Sequence, residues 1–79
     1  MAGTIKSPLP GTFYRRPNPQ ADPYVSEGDT VAKGDVVGLV EIMKSFHEIV
    51  SDAAGVIARF LVENEELVDT GQDIIAFEG

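Results

Sequence analysis

Glu41-Ile42-Met43-Lys44-Ser45-Phe46-His47-Glu48-Ile49 lies between two β-rich runs. Val36-Val37-Gly38-Leu39-Val40 leads into it, and Phe46 to Val50 leads out. The runs are close enough to form a hairpin with Met43 and Lys44 at its tip. A two-residue hairpin turn of the favoured type needs positive φ at its central residues, which normally selects Asn-Gly or Asp-Gly. Met-Lys suits that geometry poorly, and non-glycine residues held there cost on the order of 1–3 kcal/mol each. A broken local rule in a regular β pattern points to function. Here it would present one primary amine to solvent on a rigid two-stranded support.

Working outward, the chain reads as two similar halves. Ser7-Pro8-Leu9-Pro10-Gly11-Thr12-Phe13 parallels Ser51-Asp52-Ala53-Ala54-Gly55-Val56-Ile57 at an offset of 44 residues. Val31-Ala32-Lys33-Gly34 parallels Val68-Asp69-Thr70-Gly71 at an offset of 37, as does Val37 to Glu41 with Ile74 to Glu78. Repeats this short cannot each bury a hydrophobic face. Two of them facing each other can, as two small antiparallel sheets with pseudo-twofold symmetry. The predicted strands are Thr4–Lys6, Gly11–Tyr14, Thr30–Val31, Val36–Ile42, Ser45–Val50, Gly55–Leu61, Leu67–Val68 and Asp73–Phe77. Val37, Leu39, Ile49, Val56, Ile57, Phe60, Ile74 and Ile75 are the core candidates. Val62 to Leu67 and its counterpart Val25 to Thr30 read as polar turns.

The two offsets differ by seven residues, and the excess must lie between Tyr14 and Val25. Arg15-Arg16-Pro17-Asn18-Pro19-Gln20-Ala21-Asp22-Pro23-Tyr24 fills that interval. Its prolines cannot continue a ladder, but they stiffen a projecting loop.

Composition narrows the function classes. Seventy-nine residues make one domain, 1–79, and eight glycines with five prolines argue for an all-β chain of short strands and many turns. A net charge of −7 argues against binding nucleic-acid phosphate or an anionic membrane, and favours partners with basic clefts. No apolar run reaches membrane-spanning length, and Met-Ala-Gly-Thr does not open a signal peptide. The absence of cysteine removes disulfides, thiolate metal sites and cysteine nucleophiles, and fits a cytoplasmic setting. His47 is the single histidine, and adjacent strand residues face opposite ways, which undercuts a metal site with Glu48. No catalytic residue and no metal site is expected.

Glu41-Ile42-Met43-Lys44 resembles the Glu-Ala-Met-Lys-Met signature of biotinyl domains, with Ile42 in place of Ala and Ser45 in place of the second Met. Ser7-Pro8-Leu9-Pro10-Gly11-Thr12-Phe13-Tyr14-Arg15 is similar to the opening of the biotin carboxyl carrier family of bacterial acetyl-CoA carboxylases. Val31-Ala32-Lys33-Gly34-Asp35 and Ser51-Asp52-Ala53-Ala54-Gly55 follow in that family's order, so the resemblance covers nearly the whole chain. It implies a flattened β-barrel, or sandwich, of two four-stranded antiparallel sheets. It implies Lys44 as the attachment site of covalent biotin, within the motif Glu41, Ile42, Met43 and Ser45. It also implies that the insertion at about 15–23 is a thumb, with Arg15, Arg16, Pro17, Asn18 and Pro19 as contacts to biotin.

The implied function is a non-catalytic carrier. A biotin protein ligase would load Lys44 from biotinyl-adenylate. The carrier would then move carboxyl groups from a biotin carboxylase, using ATP and bicarbonate, to a carboxyltransferase, with acetyl-CoA the first choice of acceptor. The competing reading is a lipoyl carrier domain of a 2-oxo acid dehydrogenase-type complex. Met43 and the insertion favour biotin, because lipoyl domains usually place Asp before the lysine and lack the thumb.

Overall fold

A computed structural model describes residues 3–79. Eight strands form: β1 (Thr4–Lys6), β2 (Gly11–Tyr14), β3 (Thr30–Val31), β4 (Val36–Ile42), β5 (Ser45–Val50), β6 (Gly55–Phe60), β7 (Leu67–Val68) and β8 (Asp73–Phe77). Seven match the expected ranges, and β6 stops one residue earlier, at Phe60. One sheet runs β1-β8-β6-β3 and the other β5-β4-β2-β7, with every pairing antiparallel. The two orders are the same once β1 is matched to β5, β2 to β6, β3 to β7 and β4 to β8. Each sheet therefore takes two strands from either half of the chain, and neither half forms a sheet alone.

The symmetry extends to single hydrogen bonds. The Gly34 N–H donates to the Ser51 carbonyl and the Gly71 N–H to the Ser7 carbonyl, both at 2.8 Å. Ser7 and Ser51 are the two buried polar residues among those described, and their hydroxyls donate to the carbonyls of Leu9 and Ala53. Each serine closes its own turn while its carbonyl holds the glycine turn of the other half. A buried hydroxyl with a partner avoids the desolvation cost of an unpaired one.

The core lies between the sheets. Ile5, Phe13, Val37, Val40, Ile49, Ile57, Ile74 and Ile75 are its most enclosed members. Ile74 and Ile75 are neighbours, and strict alternation would send one to solvent. An extra residue in β8 opposite β1 resolves this, because Ile5 pairs with Ile75 and Lys6 with Asp73. Ile74 is left over, a β-bulge that re-aims its side chain. Val37 is the left-over residue at the matching place in β4, where Val36 pairs with Val50 and Gly38 with Ile49. Burying each such side chain contributes roughly 1.5–3 kcal/mol.

Two core expectations need correction. Val56 and Phe60 are only half-buried. Phe60 packs against the cluster from its rim and meets Phe13 with ring centroids 6.3 Å apart. Leu39 is buried, as expected, but on the outer face of its sheet, paired with Tyr14 and Glu48.

Gly38 shows how closely the Phe13 ring lies over the neighbouring strand of its own sheet. A methyl group there would sit 2.7 Å from Phe13 Cε1 and 3.0 Å from the Tyr14 carbonyl oxygen. Gly38→Ala is expected to lower stability by about 1–3 kcal/mol, read from urea unfolding, because neither neighbour can retreat without opening the core.

Candidate functional site

The β4–β5 ladder runs from Val36↔Val50 to Ile42↔Ser45 and leaves Met43 and Lys44 as a two-residue loop. Their φ values are +48° and +68°. Both central residues are thus left-handed, the geometry whose twist matches the flanking strands. Among the described residues only one other non-glycine residue, Glu65, has positive φ. Met43 is 94% exposed, Lys44 is also exposed, and neither ion pair among the described residues involves Lys44.

The tip is braced from below. Glu41, Thr12 and Phe46 form one cross-strand row on the outer face of the sheet. The Tyr14 hydroxyl donates to Glu41 Oε1 at 2.9 Å, and the Tyr14 and Phe46 rings meet at 6.0 Å and 51°. Acceptance by Glu41 pushes the Tyr14 phenol above its ordinary pKa, aided by burial and by the charges of Glu41 and Glu65. The phenol is protonated at neutral pH even without that shift, and it is the donor in this bond. Glu41 and Phe46 are tied to β2 at one end, and their backbone leads directly into the turn.

The insertion folds back beside the tip. Its base is closed by the Tyr24 N–H donating to the Arg15 carbonyl at 2.9 Å. The Arg15 guanidinium lies 3.9 Å above the Phe60 ring and 3.6 Å from Glu27, and the Arg15 N–H donates to Asn64 Oδ1. Within the loop, Asn18 accepts from the Ala21 and Gln20 N–H groups. Between the loop and the outer sheet face is a groove of about 510 Å³. It is lined by Arg16, Pro17, Asn18 and Pro19 of the loop, by Tyr14 and Phe46 of the sheet, and by Asn64 and Glu65 of the turn before β7.

Of the residues singled out in the sequence, the structure brings Lys44, Met43, Ile42, Glu41 and Ser45 together at one turn. Arg16 to Pro19 lie in the groove beside it. Arg15 stays at the loop's base and does not line the groove. Tyr14, Phe46, Asn64 and Glu65 were not anticipated. Glu65 had a readable signal, since the repeat sets it opposite Gly28 in the other half. His47 and Glu48 face opposite ways, and no cluster of three metal-ligating side chains occurs among the described residues.

A family model described as "Biotin-requiring enzyme" matches residues 3–77, and the chain belongs to that family. It is 38% identical over 74 residues to the biotin carboxyl carrier protein of acetyl-CoA carboxylase from Haemophilus influenzae, covering 94% of this chain and 48% of that one. It is 43% identical over 74 residues to the chloroplastic biotin carboxyl carrier protein of acetyl-CoA carboxylase 2 of Arabidopsis thaliana, covering 91% of this chain and 29% of that one. The chain thus spans less than half the length of these relatives. Among solved structures, the urea carboxylase of Kluyveromyces lactis superposes with a TM-score of 0.80 at 23% identity, over 99% of this chain and 6% of that one. A single-chain, multi-domain long-chain acyl-CoA carboxylase gives 0.78 at 24% identity, over 96% and 7%. Both share the fold.

The turn geometry makes a stability prediction. Replacing Met43-Lys44 by the turn pair Asn-Gly, as Met43→Asn/Lys44→Gly, should raise the stability of the unmodified chain by about 1 kcal/mol. Thermal unfolding measures it, and an unchanged or lower Tm would show that the native tip is not strained.

Proposed function

We propose that this chain is a biotin carboxyl carrier domain, with biotin joined by an amide to the ε-amine of Lys44. The observation that carries the reading is Lys44 at the second central position of a left-handed two-residue turn, directly after Met43. The turn holds the lysine away from the domain on a stiff ladder. A biotin protein ligase must supply deprotonation of the amine at the moment of attack, so the carrier needs only to offer the nitrogen at a reproducible place.

The groove suits the group. Its volume falls in the range of about 300–1,000 Å³ typical of small-molecule sites. Biotin is uncharged at its ring end, with an apolar thioether ring fused to a polar ureido ring. Tyr14, Phe46, Pro17 and Pro19 supply apolar walls; Arg16, Asn18, Asn64 and Glu65 supply donors and acceptors. The loop at 15–23 is accordingly a thumb that covers the group between visits to partners. When bound, biotin supplies a ureido nitrogen that takes up and releases a carboxyl group.

The domain catalyses neither half-reaction in this account. It raises the local concentration of its tethered group at a biotin carboxylase and then at a carboxyltransferase, with acetyl-CoA as the acceptor of first choice. An acidic surface steers it to basic clefts without tight binding, which suits a shuttle. We assign it to the cytoplasm; no helix among the described residues is long and apolar enough to cross a membrane.

The lipoyl reading shares the turn and the lysine. Met43, the thumb and the two carboxylase relatives named above favour biotin over it. Intact mass after co-expression with a biotin protein ligase and biotin separates them. A biotinyl increment is expected on the wild type and none on Lys44→Arg. No increment on the wild type, or a lipoyl increment with a lipoyl ligase, would reject the assignment.

A further inference from the structure

Resting on the reading that Lys44 carries biotin, we propose that Glu65 is a binding residue of the thumb groove. Its carboxylate accepts a hydrogen bond from a ureido N–H when the group lies there, with Arg16 of the same groove as donor to the ureido carbonyl.

The first observation is conformational. Glu65 has φ of +70°, and its counterpart in the other half, Gly28, has φ of +91°. The backbone work of the two residues is the same: the Gly28 N–H donates to the Ile57 carbonyl at 2.8 Å, and the Glu65 N–H to the Phe13 carbonyl at 2.6 Å. The surrounding turns match as well, since Asp29 accepts from the Ser26 N–H as Glu66 does from the Glu63 N–H. Glycine therefore satisfies this turn in one half. A side chain in left-handed backbone is disfavoured, and the turn engages the one at Glu65 only through a long bond from Asn64.

The second observation is where that side chain lies. Glu65 lines the groove beside Tyr14, Phe46 and Asn64. Its carboxylate accepts one long hydrogen bond, 3.4 Å from Asn64 Nδ2, and forms no ion pair among the described residues. It is close enough to Tyr14 for its charge to help raise that phenol. Arg16 also lines the groove, and its guanidinium makes a long donation, 3.4 Å, to the Ala21 carbonyl. The groove thus holds a carboxylate and a guanidinium, each with one long hydrogen bond, among apolar side chains. A neutral ureido ring presents the complementary N–H and C=O groups. Phe46 belongs both to the groove and to the attachment hairpin, so the occupant is the group that the hairpin carries.

The test uses the chain loaded with ¹⁵N-labelled biotin, as wild type, Glu65→Gln and Glu65→Gly. NMR measures solvent exchange of the ureido N–H groups. A charge-assisted bond predicts exchange about tenfold faster in Glu65→Gly than in the wild type. Glu65→Gln, which retains a carbonyl acceptor, should fall between. Glu65→Gly should also unfold at a higher temperature, because it removes a left-handed side chain. Equal exchange in all three proteins, with biotin shown by mass on Lys44, would overturn the role of Glu65 and leave the carrier reading intact. Absence of biotin from Lys44 would overturn both.

Discussion

Each half of this chain lacks a sheet of its own, and the other features follow from that. β1 and β3 are completed by β6 and β8; β5 and β7 are completed by β2 and β4. The apolar face of any strand is covered only when both halves are present, so folding is expected to be a single cooperative event. The paired bonds from Gly34 to Ser51 and from Gly71 to Ser7 cross between the halves at two symmetry-related places. The bulges at Val37 and Ile74 serve the same interleaving, since each turns an additional large side chain into the shared core.

That constraint also makes the lysine's position reproducible. β4 lies inside its sheet, held by β2 on one side and β5 on the other. Its register with β5 persists to Ile42↔Ser45, and a shift of one residue would turn the buried Ile49 outward. The ladder leaves no freedom over which two residues form the turn, so Met43 and Lys44 are forced left-handed. The strain of the tip is set against the whole core. The symmetry mate of this hairpin is the open end of the β1–β8 pair, where Thr4 meets Ala76 as Glu48 meets Leu39. The two halves thus differ chiefly at this hairpin, at the thumb and at Glu65, and these are the places to which function has been assigned.

Much of the architecture was legible because the repeat and the period-2 pattern agreed. The strand ranges and the identity of the tip followed from Gly positions, β-branched runs and the unsuitable Met-Lys pair. The core was read less well. Val56 and Phe60 carry the right chemistry but sit at a rim, whereas Ile5, Phe13 and Val40 were passed over; short strands give alternation too few residues to declare itself. Ile74 beside Ile75 required a bulge that no local signal announces. The thumb's length was visible as an offset, but its fold-back depends on Arg15 reaching Phe60, Glu27 and Asn64, contacts distant in sequence. The wall formed by Tyr14, Phe46 and Glu65 was hidden for the same reason, although the pairing of Glu65 with Gly28 was written in the repeat.

The hairpin register, more than the local sequence, selects the lysine proposed to be modified. Exchanging the two tip residues, as Met43→Lys/Lys44→Met, tests this most directly. The composition and the turn are conserved, and the amine moves by one residue. After co-expression with a biotin protein ligase and biotin, the exchanged protein should fold with the wild-type Tm and gain no biotinyl mass increment. A full increment located at position 43 would contradict selection by register, and would show that the ligase reads an exposed lysine near the tip rather than a position fixed by the ladder.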